Sequence, residues 1–366
     1  MIATAAHETT RTVDAGTYAV HIGRGLRRDF ATHIIAAARA HRYAVVSDAN
    51  VAPLFADALV ADLEAHAPAS LHVIGAGEAH KTRDTWLRVT DELLALGCGR
   101  DTTVVALGGG VVGDLAGFVA STYMRGIPVV QIPTSLLAMI DASVGGKTGV
   151  DTAMGKNLVG TFHPPAVVLA DVEMLSSLPI AHRRAGLAEA IKHGVIADHS
   201  YFTAIDRALS ALVEGDPDLT MDVVARSVEL KADVVRADMR EGGRRKTLNF
   251  GHTIGHAIEQ VSGYSLLHGE CVAIGMVLEA RLAERLGIAD GGTARAIEAM
   301  LARAALPVER PNALDAGAVL AATHRDKKSR AGVVEYALPT RIGAMDERGG
   351  AWSVAVGDDH VREVLR

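Results

Sequence analysis

The sequence predicts an α/β domain built on a parallel sheet, followed by a helical domain. Three observations support this. Short apolar runs alternate with helical segments through the first 177 residues, and the runs are apolar throughout, as in strands covered on both faces. After Leu178-Pro179 helical periodicity dominates. The chain has 366 residues, more than one ordinary core holds, so we place two domains at 1–177 and 178–366.

The elements follow from apolar runs closed by turn residues such as Gly23, Asn50 and Gly75. In the first domain, strands are predicted at 17–22, 43–47, 71–74, 103–107, 129–132 and 167–170. Helices are predicted between them at 26–39, 51–65, 82–96 and 115–123. The second domain has predicted helices at 184–197, 200–214, 218–236, 249–262, 269–286, 291–304 and 316–325, then a short strand at 333–338. Residues 1–12 read as a polar, irregular start.

Composition excludes several classes of protein. The formal net charge of −6 argues against a general nucleic-acid binder. Two cysteines, Cys98 and Cys271, make no disulfide framework and fit a reducing cytosol. No signal sequence or uninterrupted apolar run of membrane-spanning length is present, so we expect a cytoplasmic protein.

The glycine-rich segment 108–114 is a candidate diphosphate site. It satisfies G-x-G-x-x-G with Gly108, Gly110 and Gly113, follows a strand and precedes a helix. A tight turn without a ligand is the alternative. The region about 20 residues on lacks the acidic residue of a standard Rossmann unit. Asp48, which ends an earlier strand, is a better candidate for the ribose, so the strand order is expected to differ from the standard one.

The stretch from Leu248 to Glu270 is the strongest chemical signal. A helix over 249–262 would place Asn249, His252 and His256 on one face, and His268 returns after a short loop to complete a site with His252. The motif is not that of a zinc protease, because Thr253 stands at the glutamate position.

Glu189 is the candidate third metal ligand. It lies in an apolar segment and shares a helix face with Lys192 at i, i+3, so a surface ion pair is the alternative. Six cations accompany these residues and point to a small polyanionic substrate. They are Lys147, Lys156, Lys192, Lys231, Arg245 and Lys327. A metal beside a nicotinamide suggests alcohol oxidation.

Seven long motifs resemble those of the 3-dehydroquinate synthase family, within the sugar phosphate cyclases. They are GGGVVGDLAGFVASTYMRG, QIPTSLLAMIDASVGGKTGVD, GKNLVGTFHPP, GLAEAIKHG, LNFGHTIGHAIE, LHGECVAIGM and RDKK. The similarity runs from about Tyr43 to Met345. It implies an N-terminal NAD-binding α/β domain, a C-terminal helical domain, an active site in the cleft between them, and a homodimer.

The resemblance also implies roles for individual residues. Glu189, His252 and His268 would hold Zn²⁺ or Co²⁺. The implied NAD⁺ contacts are Asp48, Asn50, Glu78, Lys81, Gly110, Gly113, Asp114, Thr134, Ser135, Asp141, Lys156 and Ser177. The implied substrate contacts are Lys147, Arg245 and Asn249 for the carboxylate and ring, Asp141 and Lys231 for hydroxyls, and Asn157, Lys192, His256 and Lys327 for phosphate. Arg125 would reach the phosphate of the partner subunit's site.

The implied reaction converts 3-deoxy-D-arabino-heptulosonate 7-phosphate to 3-dehydroquinate and phosphate. It combines transient oxidation by NAD⁺, phosphate elimination, re-reduction and an aldol ring closure, as in the shikimate pathway of aromatic amino acid biosynthesis.

Three alternatives stay open: a sibling cyclase acting on sedoheptulose 7-phosphate or glucose 6-phosphate, a metal-dependent polyol dehydrogenase, and a non-catalytic NAD-binding protein. Arg245 argues against the first, since those substrates lack a carboxylate. His182 and Glu335 depart from the family pattern, and whether Lys327 or Lys328 contacts the substrate stays open.

Overall fold

A computed structural model of the chain describes residues 10–324 and 334–366. These residues form two compact units. The first comprises the described residues up to Leu178 together with Thr220–Ala232, and the second comprises Pro179–Leu219 and the described residues of Asp233–Arg366. The sequence prediction assigned everything after residue 177 to one domain, whereas Thr220–Ala232 groups with the first unit.

The first unit is an α/β structure with one seven-stranded sheet. The strands are β1 (Thr10–Asp14), β2 (Ala19–Gly23), β3 (Arg42–Asp48), β4 (Ala69–Ile74), β5 (Thr102–Gly108), β6 (Val129–Pro133) and β9 (Val167–Asp171). Their order is β1-β2-β9-β6-β5-β3-β4. All neighbours pair parallel except β1 and β2. The predicted parallel sheet is confirmed, but the polar edge strand β1 was missed.

Helices cover both faces of this sheet. They are α1 (Phe30–Ala37), α2 (Ala52–Glu64), α3 (Arg83–Ala95) and α4 (Gly110–Thr122). Successive residues of β3 point to opposite faces of the sheet and enter different cores. Val45 packs in a cluster with residues of α1 and α2, and Val46 packs in a cluster with residues of α3 and α4. Burial on both faces explains the continuous apolar runs in the central strands.

A β-hairpin stands apart from the main sheet. It consists of β7 (Lys147–Thr152) and β8 (Gly155–Phe162), paired antiparallel. The sequence did not predict it, because its glycines and polar residues form no apolar run. Gly149 and Gly160 pair across it, and a Cβ on Gly160 would lie 2.1 Å from the Thr148 carbonyl oxygen, so bare backbone is required there.

The second unit is mainly helical. Its helices are α5 (Ile180–Ala197), α6 (His199–Glu214), α8 (His252–Val261), α9 (His268–Arg285), α10 (Thr293–Arg303), α11 (Ala316–Thr323) and α12 (Asp358–Leu365), while α7 (Pro217–Ala237) contributes residues to both units. Short strands β10 (Val334–Tyr336), β11 (Pro339–Arg341), β12 (Ala344–Met345) and β13 (Val354–Val356) form two small antiparallel pairs. Within the described ranges, no helix is long and apolar enough to cross a membrane.

Candidate active site

Two of the histidines stand at the first positions of helices. His252 begins α8 and His268 begins α9. Asn249 lies in the preceding 3₁₀ turn, Arg244–Asn249, so the prediction that it shares a helix with His252 was wrong. Gly251, at φ 77°, separates the turn from the helix, because a residue in the left-handed region cannot continue a right-handed helix.

Glu189 meets both histidines. Its side chain, on α5, is fully buried, and its Oε1 lies 3.3 Å from His252 Nε2 and 3.6 Å from His268 Nε2. Ligand atoms bound tetrahedrally at ~2.0–2.1 Å from zinc lie about 3.3 Å apart. Both carboxylate oxygens of Glu189 are buried: Oε2 is in contact with the Lys192 ammonium, and Oε1 faces the two imidazoles. The three donors therefore fit a divalent metal ion.

His256 stands beside these residues and offers a second possible ligand set. Its ring centroid lies 5.2 Å from that of His252 and 5.7 Å from that of His268. Ligand nitrogens of the three histidines lie within 4.8 Å of one another, so three histidines alone also form a group able to hold a metal. Geometry alone leaves His256 as either a ligand or a neighbour of the ligands.

The second nitrogen of each candidate ligand histidine is engaged. Nδ1 of His252 lies 3.0 Å from the Phe250 carbonyl oxygen, which can only accept, so Nδ1 carries the proton and Nε2 keeps its lone pair. Nδ1 of His268 lies 3.5 Å from Oε2 of the buried Glu259. Such partners orient metal-binding imidazoles. Sequence reasoning assigned Glu259 no role, although this residue ends the motif LNFGHTIGHAIE.

The electrostatics keep Glu189 ionised. Burial by itself would raise the pKa of Glu189, but the ammonium of the buried Lys192, one turn away and in direct contact, and His252 hold that pKa well below its ordinary value. Burial lowers the pKa of His252 and so keeps it neutral. For His268, hydrogen bonding to Glu189 and Glu259 outweighs burial and raises the pKa to about 9.

The loop before α8 presents Arg245. The Asp238 carboxylate accepts the backbone N–H groups of Gly242, Gly243 and Arg245, at 3.1, 2.7 and 3.1 Å. Arg245 is 1% exposed, and its Nη1 donates to the Met239 carbonyl at 2.7 Å.

Asn249, at the end of this loop, donates through Nδ2 to Glu241 Oε1 at 2.6 Å. Two residues that depart from the family pattern are also located. Glu335 pairs with Lys246 at 3.0 Å, and His182 is exposed on α5.

In the first unit, Lys81 is the centre of an ionic cluster. Its ammonium is almost fully buried and lies 2.8 Å from Glu78, 3.2 Å from Asp114 and 3.7 Å from Asp151. Lys156 lies 3.2 Å from Glu78. Four of the predicted NAD⁺ contacts therefore meet in one network, and Asp151 is a member that sequence reasoning missed.

The network shifts the pKa of each carboxylate. Burial opposes ionisation of Glu78, but Lys81 and Lys156 prevail and lower its pKa to about 2. Burial, assisted by the negative charge of Glu78, raises the pKa of Asp151 to about 6 despite Lys81. Burial also raises the pKa of Asp114. The Lys81 pKa rises above its usual value because three carboxylates outweigh its desolvation.

The glycine-rich segment forms the turn from β5 into α4. The helix begins at Gly110, five residues before the predicted start, and Gly109 is its N-cap. A Cβ on Gly113 would lie 2.8 Å from Gln131 Oε1, so this glycine permits close packing of α4 on β6. A helix N-terminus of bare backbone suits a diphosphate group.

The remaining predicted residues of the first unit occupy loop and helix positions. Asp48 ends β3 and accepts the N–H of Asn50 at 2.8 Å. Thr134 and Ser135 follow β6, and Ser177 ends the 3₁₀ turn Val172–Ser177.

The substrate contacts predicted for this unit include one direct pair. Lys231 lies 2.7 Å from Asp141 Oδ1. Lys147 opens β7, and Asn157 and Arg125 adopt positive φ angles of 53° and 70°. Lys327 and Lys328 lie outside the described residues.

Solved structures share this fold over nearly the whole chain. A 2-deoxy-scyllo-inosose synthase, complexed with carbaglucose-6-phosphate, NAD⁺ and Co²⁺, is 28% identical with a TM-score of 0.88 and covers 98% of this chain and 99% of its own. The 2-epi-5-epi-valiolone synthase of Streptomyces hygroscopicus subsp. jinggangensis 5008, with NAD⁺ and Zn²⁺ bound, is 30% identical with a TM-score of 0.86 and 97% coverage of both chains. The fold is therefore that of the sugar phosphate cyclases.

Sequence relatives narrow this further. Family models of the 3-dehydroquinate synthase N-terminal and C-terminal parts match residues 71–185 and 186–329. The 3-dehydroquinate synthase of Symbiobacterium thermophilum is 46% identical over 333 residues, 89% of this chain and 92% of the relative. That of Xanthomonas campestris pv. campestris is 47% identical over 341 residues, 90% and 91% of the two chains. This chain belongs to the 3-dehydroquinate synthase family.

Proposed function

We propose that the protein is a 3-dehydroquinate synthase that converts 3-deoxy-D-arabino-heptulosonate 7-phosphate to 3-dehydroquinate and phosphate. The observation that carries the proposal is the approach of Glu189 Oε1 to the Nε2 atoms of His252 and His268, at 3.3 and 3.6 Å, in a chain of this family. Because elimination of phosphate breaks a carbon–oxygen bond, the enzyme would be a carbon–oxygen lyase that acts on a phosphate ester. Cys98 and Cys271 are buried and form no disulfide with each other, which agrees with action in a reducing cytoplasm.

The proposed cofactors are NAD⁺ and a divalent metal ion, Zn²⁺ or Co²⁺, as in the two similar cyclases. When bound, NAD⁺ would accept a hydride from the substrate and later return it, and the metal ion would supply Lewis acidity at the hydroxyl that is oxidised. Glu189, His252 and His268 would hold the metal. The start of α4 would hold the diphosphate, and the Glu78–Lys81–Asp114 network with Lys156 would order the segments around it.

The substrate's two acidic groups require cations, and the chain provides them in fixed positions. We assign binding of the substrate's carboxylate to Arg245. Its guanidinium donates to the Met239 carbonyl oxygen and its backbone N–H to the Asp238 carboxylate, so the side chain is held in place. Lys147 and Asn249 complete this assignment. Lys192 and His256 are assigned to the phosphate with Asn157, and Lys231 and Asp141 to hydroxyl groups. Lys327 is assigned to the phosphate on sequence resemblance alone.

The test is phosphate release from purified protein supplied with NAD⁺ and Co²⁺ or Zn²⁺, with NADH absorbance followed at the same time. With 3-deoxy-D-arabino-heptulosonate 7-phosphate, we expect many turnovers of phosphate and no net NADH. Release only from sedoheptulose 7-phosphate or glucose 6-phosphate would identify a sibling cyclase. Accumulation of NADH without phosphate would identify a dehydrogenase.

The Arg245 assignment has its own test. Arg245→Met should lower kcat/KM for the carboxylated substrate by about 100-fold or more, because a buried, hydrogen-bonded charge contact contributes roughly 3 kcal/mol. Lys246→Met, at the adjacent position, is the matched control, since Lys246 pairs with Glu335. Equal kinetics for the two variants would remove Arg245 from the site.

We also propose that the protein is a homodimer in which Arg125 acts in the partner's site. Arg125 is exposed and follows the exposed Met124, and the β7–β8 hairpin exposes Met154, Leu158 and Phe162. Such apolar side chains favour an interface. Mixing Arg125→Ala with His252→Ala subunits should restore about a quarter of wild-type activity, since half of a statistical mixture is heterodimer with one intact site of two. No recovery in subunits shown to exchange would refute the trans role.

A further inference from the structure

We propose that Glu279 is a positioning residue for the metal centre: from α9 it caps the N-terminus of α8 and so fixes His252 relative to His268. The inference rests on the proposed function, because it assigns a role toward the metal ligands. Glu279 was not among the predicted site residues. It lies eleven residues after His268, three turns along α9.

The contact is direct. Glu279 Oε2 accepts the N–H of Gly251 at 2.6 Å, and Oε1 accepts the N–H of Ile254 at 2.9 Å. Gly251 is the N-cap of α8 and Ile254 its third residue, so these are N–H groups that a helix start leaves without an internal partner. A carboxylate at this end also complements the helix dipole. Glu279 therefore does from another helix what a capping side chain usually does locally.

A local cap is excluded by packing. Gly251 has φ 77° and no side chain, and a Cβ there would lie 2.5 Å from Met276 and 3.0 Å from the Val272 carbonyl oxygen. A serine or aspartate at the N-cap would therefore collide with α9. The same close approach brings Glu279 within reach of the first turn of α8.

The cap controls the residues that aim the ligand. Gly251 stands between Phe250 and His252. The Phe250 carbonyl oxygen lies 3.0 Å from His252 Nδ1. Movement of the Gly251 backbone would shift both the Cα of His252 and the group that orients its ring. Glu279 and His268 both belong to α9, so the cap fixes the position of His252, on α8, relative to His268.

Burial makes the arrangement specific. Glu279 is 0% exposed, and an ionised carboxylate is retained there only with strong hydrogen-bond donors. Replacing it by methionine, which has a similar length, would leave the N–H groups of Gly251 and Ile254 without the carboxylate. The first turn of α8 would then relax, and the spacing of His252 from Glu189 would change.

The experiment is a Co²⁺ titration of the metal-free full-length protein, followed by the visible absorption of bound Co²⁺, for wild type, Glu279→Met and Glu279→Gln. We expect Glu279→Met to bind Co²⁺ about 10–100-fold more weakly, the range for residues that orient ligands, with an altered spectrum. Glu279→Gln keeps the shape and one acceptor oxygen, so its affinity should lie between the two.

The matched control is Asp315→Ala, which removes the cap of α11, where Asp315 accepts the Ala318 N–H at 2.8 Å. It should lower the thermal midpoint and leave Co²⁺ affinity unchanged. Wild-type affinity and spectrum in folded Glu279→Met would overturn the inference; if that variant does not fold, the same result for Glu279→Gln would do so. Failure of wild type itself to bind Co²⁺ would instead refute the proposed metal site.

Discussion

Replacing Lys81 by methionine removes a buried cation that lies among three carboxylates in the first unit's ionic network. Lys81 is 3% exposed, and Glu78, Asp114 and Asp151 lie 2.8, 3.2 and 3.7 Å from its ammonium. Removing one partner of a buried ion pair costs about 3–5 kcal/mol, because the remaining charges stay buried with less compensation, here that of Lys156 at Glu78. For a unit of this size, that cost corresponds to a fall of about 6–20 °C in the thermal midpoint.

The stability lost in Lys81→Met should depend on pH, which distinguishes loss of the ion pair from loss of packing alone. In wild type the folded-state pKa of Glu78 is depressed to about 2, so its contribution to stability is present above its ordinary pKa and lost as pH falls toward 2. Without the ammonium, the folded-state pKa values of the carboxylates rise, and such groups favour the folded state at low pH only. The stability deficit of Lys81→Met should therefore be largest at pH 7–8 and shrink toward pH 5.

The assay is thermal unfolding followed by circular dichroism at pH 7.5 and pH 5. Lys246→Met is the control, because Lys246 lies 3.0 Å from Glu335 in a pair whose side chains are 26% and 36% exposed. Removing such a pair should cost about 1 kcal/mol or less. The reasoning is wrong if Lys81→Met loses no more stability than Lys246→Met, or if its deficit does not depend on pH.

Three further predictions concern other parts of the chain. The pKa of Asp151 is raised to about 6, so the contribution of its protonated form to stability is lost as pH rises from about 4 through 6. In thermal unfolding, Asp151→Asn should therefore gain stability relative to wild type over that interval. A difference in thermal midpoint between the two proteins that does not change with pH would contradict this. Gly275→Ala should lower the thermal midpoint strongly, because its Cβ would lie 2.0 Å from a backbone oxygen of α8's N-cap, whereas Gly291→Ala, with open space around it, should have little effect. Thr82→Ala removes the cap of α3, where Thr82 accepts the Thr85 N–H at 3.2 Å, and should cost about 1 kcal/mol in urea unfolding; no loss would contradict it.

The sheet could be predicted because its signal is local. Strands such as β3 and β5 contain continuous apolar runs, since both of their faces are buried, and such runs are visible without knowledge of their neighbours. The edge strand β1 carries Thr10, Arg11 and Thr12 and has only one buried residue. Its sequence therefore contains no apolar run from which its pairing with β2 could be predicted.

The candidate site was predictable to the extent that its residues are close in sequence or lie in family motifs. Glu189 and Lys192 are three residues apart on α5, and the structure brings them into contact. Asp151 and Glu279 were missed because these contacts join residues that lie 25 to 70 positions apart: Asp151 meets Lys81, and Glu279 meets Gly251 and Ile254. A buried carboxylate that serves backbone groups of another element has no periodic signature, so only the tertiary structure identifies it.

Glycine explains how the proposed metal ligands hold their spacing. A Cβ on Gly269, which follows His268, would lie 2.0 Å from the Ala185 carbonyl of α5, one turn before Glu189. A Cβ on Gly275 would lie 2.0 Å from the Gly251 carbonyl, next to His252. The three ligand helices thus touch through their backbones beside the ligands. Contacts between backbones leave fewer side-chain torsions to vary than contacts between long side chains, so the positions of the donors follow from helix packing. The glycine content of the chain by itself indicated nothing about function, but at these two positions glycine permits the packing of the proposed metal site.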